Sequence, residues 1–98
     1  MADEHLFVVT YDIADARRWR RVFRLMHGFG EWLQLSVFQC RLTRSRLLEM
    51  QERLGAAIDN TADHVMIIDA GPAEGVRLRV RSLGKRGFEP VERSVIVV

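Results

Sequence analysis

The 98 residues carry fifteen basic and thirteen acidic side chains, a net charge of +2, and 48% of them are hydrophobic. That size allows one domain, residues 1–98, burying roughly two-thirds of its extended-chain surface, and the apolar share excludes a disordered polyelectrolyte. Cys40 is the only cysteine, which excludes an internal disulfide or a multi-cysteine metal site and fits a reducing cytoplasm.

Met1 is followed by Asp3, Glu4 and His5, a start unlike a signal peptide, and no apolar run is long enough to span a bilayer. The expectation is a cytoplasmic domain without a membrane. Of the fifteen basic residues, fourteen are arginine and only Lys85 is lysine. The planar arginine fork suits phosphate oxygens, although arginine-rich codon usage explains the same ratio. Where the arginines cluster is therefore more informative than their number.

Residues 5–11 are apolar, β-branched and aromatic and predict a buried strand. Residues 12–15 turn the chain, and Asp15 is a suitable cap for a helix running to about His27, with Trp19, Val22, Phe23 and Met26 on one face. Gly28 and Gly30 end it. Residues 31–40 alternate: Leu33, Leu35 and Val37 point one way, Trp32, Gln34, Ser36 and Phe38 the other. Thr43 caps a second helix to about Ala57, bearing Leu47, Met50, Leu54 and Ile58 at helical spacing. Residues 63–69 are a strand and 71–75 a turn cluster. A short helical turn near 76, a strand over 80–83, a loop over 84–87 and a last strand over 94–98 complete the chain.

The 31–40 segment is long enough to break in two. The order then becomes βαββαβ, an α+β ferredoxin-like plan with an extra C-terminal strand. Both helices would cover one sheet face and leave the Trp32, Gln34, Ser36 and Phe38 face open, a surface that homodimerisation would bury.

Three constellations carry chemistry. Tyr11-Asp12 ends the first strand, where a carboxylate suits a metal or a phosphate, but aspartate is also an ordinary turn residue, and the local pattern favours the turn. Arg17, Arg18, Arg20, Arg21 and Arg24 have only Asp15 near them, so this helix offers a cationic stripe able to attract nucleic-acid phosphates. Arg41, Arg44 and Arg46, and Arg77, Arg79 and Arg81 with Lys85 and Arg86, extend that basic surface. In the third, residues 34–40, Ser36 lacks a base partner for nucleophilic work; Phe38 suits packing, a dimer seal or a base stack. His5, His27 and His64 show no metal-ligand spacing.

The run Val8-Val9-Thr10-Tyr11-Asp12-Ile13-Ala14-Asp15, followed by the arginine-rich stretch, resembles the opening of the small CRISPR-associated endonuclease family of spacer acquisition. Gly30 and Gln34-Leu35-Ser36-Val37-Phe38-Gln39-Cys40 resemble its second signature, and Ile58-Asp59 and the strand over 63–69 follow at the family's distance. The resemblance covers nearly the whole chain. It implies a ferredoxin-like homodimer in which residues 94–98, with Val95 and Val97, join the sheet of the other protomer, and Ser36 and Phe38 are assigned to the interface. It implies a divalent metal, Mg2+ or Mn2+, on Asp12 near the two-fold axis, with Tyr11 positioning phosphate, and cleavage of single-stranded RNA or double-stranded DNA. It further implies a role as an adaptor that holds duplex DNA beside the CRISPR integrase. Two departures weaken the nuclease side: family members usually carry glutamate where this chain has Gln39, and often a basic residue in place of Trp32. A toxin-like ribonuclease or a non-catalytic ferredoxin-like regulator is the alternative.

Overall fold

The computed structural model describes residues 3–84 and the backbone of residues 95–97. Among them the order is β1 (Glu4–Asp12), α1 (Ala16–His27), β2 (Glu31–Gln34), β3 (Val37–Thr43), α2 (Arg44–Ala57), β4 (His64–Pro72), β5 (Leu78–Val80) and β6 (Val95–Val97). The first, second, third and fourth strands form one antiparallel sheet in the order β2-β3-β1-β4. Each helix thus connects strands that lie two apart, which is the ferredoxin-like arrangement.

Both helices start where a side chain replaces the missing backbone acceptor. Asp15 accepts the Arg18 N–H at 3.0 Å, and Thr43 Oγ1 accepts the Arg46 N–H at 3.2 Å. Their apolar stripes, Val22 and Met26 on α1 and Met50, Leu54 and Ala57 on α2, close over Phe7, Val9, Tyr11, Phe38, Cys40 and Leu42 of the sheet. Strand alternation assigns the even-numbered β1 residues, Leu6, Val8, Thr10 and Asp12, to the other face.

The segment predicted over 31–40 is broken at Leu35-Ser36, with Leu35 in the left-handed region at φ 43°. Trp32 lies opposite Phe38 in the resulting hairpin. The grouping of Trp32 with Phe38 holds, but the side is reversed. Phe38 is 0% exposed and packs under the helices against Phe23, His27 and Tyr11, while Trp32 meets Phe23 edge-on. Ser36 Oγ accepts the Trp19 indole N–H at 2.8 Å. Phe38 therefore serves the interior of its own chain, which corrects its assignment to a dimer interface, while Ser36 is half-buried and bonded to Trp19. The face left uncovered by helices is the one bearing Val8, Val37, Met66 and Ile68.

The chain after β4 crosses part of that face. The Ala73 N–H donates to Glu4 O at 2.7 Å, and the Arg41 guanidinium donates to Ala73 O at 2.8 Å and Val76 O at 3.3 Å. These contacts, with Gly71 and Gly75 at positive φ, hold an open turn where a helical turn was predicted. The following strand starts earlier than expected, at 78–80 instead of 80–83. It pairs in parallel with β6, Leu78 opposite Val95 and Val80 opposite Val97. The predicted loop residues Lys85, Arg86 and Gly87, the strand ends Ser94 and Val98, and the side chains of Val95 and Val97 lie outside the described residues.

Gly30 is required by close approach. A Cβ there would stand 2.3 Å from Gln39 O and 2.4 Å from Cys40 Sγ, so only glycine lets β2 enter beside β3.

Candidate active site

Asp12 is the last residue of β1 and lies opposite His64, the first residue of β4. Its side chain is exposed and makes no hydrogen bond or ion pair with any described residue. Other aspartates are engaged. Asp15 caps α1 and its carboxyl is held below the usual range by the Arg18 N–H. Asp59 accepts from Thr61 N and Thr61 Oγ1 at 2.9 and 2.7 Å, which lowers its value as well. Asp69 accepts from Gly71 N and lies 2.9 Å from His5 Nδ1.

Asp63 is the most heavily used, although sequence pattern marked it only as the start of a strand. Its side chain is fully buried. One oxygen accepts from Arg18 Nε and Asp59 N, both at 2.8 Å; the other accepts from Ala14 N at 2.9 Å and Arg18 Nη2 at 3.2 Å. The Arg18 hydrogen bond, reinforced by the Asp59 N–H, outweighs burial and holds this carboxyl well below its ordinary value. Asp63 thereby fastens the β1–α1 turn, the first turn of α1 and the α2–β4 loop together, two residues beyond Asp12. The sequence signal was the polar segment Asp59-Asn60-Thr61-Ala62-Asp63, which needs backbone donors to satisfy it.

Tyr11 does not join Asp12. Adjacent strand residues point to opposite faces, and Tyr11 is 6% exposed, its ring packed against Phe38 and Trp19. Its hydroxyl is buried without a hydrogen-bond partner. Burial pushes its pKa up to about 12, and the nearby Ser36 offsets this only in part. A catalytic or phosphate-positioning Tyr11 is thus corrected to a core residue.

Nor do the five arginines act as one set. Arg18 is consumed by Asp63. Arg17, Arg20, Arg21 and Arg24 recur at i, i+3, i+4 and i+7, which places them on one exposed stripe of α1, with no ion pair to any described residue. The stripe faces away from the sheet, whereas Asp12 belongs to the opposite sheet face. Arg41 holds the 73–76 turn, and Arg46 is paired with Glu49 at 2.7 Å and lies over the Phe29 ring. Arg77, Arg79 and Arg81 are exposed. Gln39 is buried and donates to Glu31 Oε2 at 3.2 Å, so a carboxylate stands one strand away from the position where glutamate was absent.

Among the described residues no group of three or more histidine, cysteine, aspartate or glutamate side chains is gathered for a metal. Asp12 offers a free carboxylate at the end of its strand, opposite His64. This fits a hard divalent cation, which keeps several waters and needs one or two carboxylates, provided a second copy supplies the rest. No described helix is long and apolar enough to cross a membrane.

The family model described as "CRISPR associated protein Cas2" matches residues 5–76. A protein of Geobacter sulfurreducens called CRISPR-associated endoribonuclease Cas2 is 53% identical over 95 residues, covering 97% of this chain and 99% of its own. One from Rhodospirillum rubrum, called CRISPR-associated endoribonuclease Cas2 1, is 54% identical over 95 residues, covering 97% and 92%. The crystal structure of hypothetical protein TT1823 from Thermus thermophilus superposes with a TM-score of 0.70 at 31% identity, covering 88% of this chain and 99% of that one. With the βαββαβ sheet, the free strand-end aspartate and matches of this extent, the chain belongs to the Cas2 family of CRISPR-associated proteins.

Proposed function

We propose that this protein works as a homodimer in the cytoplasmic CRISPR adaptation machinery, with a phosphodiester-cleaving site built on Asp12 and a separate nucleic-acid surface on α1. The observation that carries the first part is the free Asp12 carboxylate. It ends a sheet face whose Met66 and Ile68 remain 48% and 45% exposed. An apolar strip of that kind on a small domain favours a second copy, and a two-fold axis through this face would set two Asp12 residues toward each other. Pairing of residues 94–98 with the partner's sheet belongs to the same proposal.

The paired carboxylates would hold Mg2+ or Mn2+ together with substrate phosphate. A cation bound there supplies polarisation of the phosphodiester and a lowered pKa for a bound water. Asp12 orients that charge, and the Asp63 hub keeps the following turn from shifting. Two close relatives are called endoribonucleases, which supports single-stranded RNA as substrate.

The α1 stripe supports the second part, a grip on double-stranded DNA held jointly with the CRISPR integrase. Four arginines without an ion pair among the described residues, facing away from Asp12, suit a surface that binds a duplex without cutting it. The test separates the two. Asp12→Asn is expected to abolish Mg2+-dependent RNA cleavage and leave duplex affinity unchanged; retained cleavage refutes the nuclease site. Arg20→Glu with Arg21→Glu is expected to weaken duplex binding and reduce the slope of log affinity against log salt by about 2. An unchanged slope refutes the adaptor surface.

A further inference from the structure

Asp12 and His64 occupy partner positions of the antiparallel β1–β4 pair. Cross-strand partners share a sheet face, with Cβ atoms about 4.5–5.5 Å apart, so a carboxylate and an imidazole leave the same edge side by side. Both are exposed, and neither has another partner among the described residues. The contrast with the other histidine–aspartate pair of this sheet is direct: His5 Nδ1 and Asp69 close to 2.9 Å, and Asp69 is further engaged by Gly71. At Asp12–His64 both side chains stay open. The Asp63 hub, one residue before His64 and bonded to Ala14 just after Asp12, pins both strand ends.

We infer that His64 is a second metal ligand beside Asp12, so that the site takes a first-row divalent transition-metal ion in preference to Mg2+. This rests on the metal-site reading of Asp12 and deepens it. An all-oxygen site of one or two carboxylates suits Mg2+, but an imidazole nitrogen contributes little to Mg2+ and binds the transition-metal series well. Two copies related by a two-fold axis would offer two carboxylates and two imidazoles, a mixed nitrogen and oxygen set. Such a set discriminates by ligand chemistry, and the isolated spacing of the histidines along the chain conceals it, because strand register brings residues 12 and 64 together.

The probe is Mn2+ alone, the weakest binder of the series and paramagnetic. Titration of the full-length protein is expected to show Mn2+ binding that Asp12→Asn abolishes and His64→Asn weakens at least roughly tenfold, with Mg2+ affinity changed less than about twofold by His64→Asn. Pulsed electron paramagnetic resonance of the Mn2+ complex is expected to show nitrogen modulation that disappears in His64→Asn; the signal of the unsubstituted protein makes the test independent of how the variant folds. Asp12-dependent Mn2+ binding without nitrogen modulation overturns this inference alone. Failure of the protein to bind either Mn2+ or Mg2+ overturns it together with the metal reading of Asp12.

Discussion

Tyr11→Phe separates a core role for this residue from a catalytic one. The phenol ring fills the space between Phe38 and Trp19, at centroid distances of 6.3 and 6.4 Å, while its hydroxyl is buried with no hydrogen-bond partner. A buried, unsatisfied hydroxyl costs about 1–3 kcal/mol, and phenylalanine keeps the ring and its packing. Part of that cost should return on substitution, about 1 kcal/mol, which in a domain of this length raises the melting temperature by roughly 4–8 °C. Thermal unfolding followed by circular dichroism measures this, and RNA cleavage on the same preparation measures the site. The expected result is equal or higher melting temperature with cleavage within about twofold of the parent, since the hydroxyl lies across the sheet from Asp12. A fall of more than about 5 °C, or a hundredfold loss of cleavage at unchanged stability, would refute the placement.

Asp63 is held ionised in the fold, so its stabilising contribution is complete above the unfolded value near 3.8 and is lost as the pH falls through the lower folded value. Asp63→Asn is expected to lower the melting temperature at neutral pH and to flatten its decline below pH 3.8; parallel acid profiles for variant and parent would refute the hub. Gly30→Ala forces a Cβ to within 2.3 Å of a backbone oxygen and is expected to cost about 1–3 kcal/mol or more, read as a lower urea midpoint; an unchanged midpoint would refute the close approach of β2 and β3. Phe38→Ala empties a fully buried site and is expected to cost about 3–5 kcal/mol. A stably folded monomer from that variant would restore Phe38 to an interface.

The first four strands and both helices were legible because hydrophobic period, Asp15, Thr43 and the glycines all pointed the same way, whereas the stretch over 76–83 was misread. A break within residues 31–40 was also anticipated from the length of the segment, though not its place at Leu35-Ser36. What failed was sidedness. Alternation sorts residues 31–40 into two sets, but both carry large apolar side chains, and period alone does not say which one meets the helices. The choice was made by aromatic packing of Phe23, His27 and Tyr11 around Phe38, contacts between residues distant in sequence. The same limit applies to Tyr11, read as Asp12's companion because it is adjacent, and to Arg18, counted with its neighbours although Asp63, 45 residues away, claims it. Asp12 was legible only through the motif around it. Its freedom from partners becomes visible once every other carboxylate nearby has been traced to a donor.

The contact that makes Gly30 indispensable also gives the protein an internal clock. Cys40 Sγ fills the space a side chain at position 30 would occupy, and the thiol is 1% exposed with its pKa pushed up to about 12 by burial and the Glu31 charge. Buried in the core, it is held as the unreactive thiol. Since it is the sole cysteine, any modification of the chain by a thiol reagent marks an opening of the core between the helices and β3. The labelling rate therefore reports how often that part of the core opens, with no engineered probe.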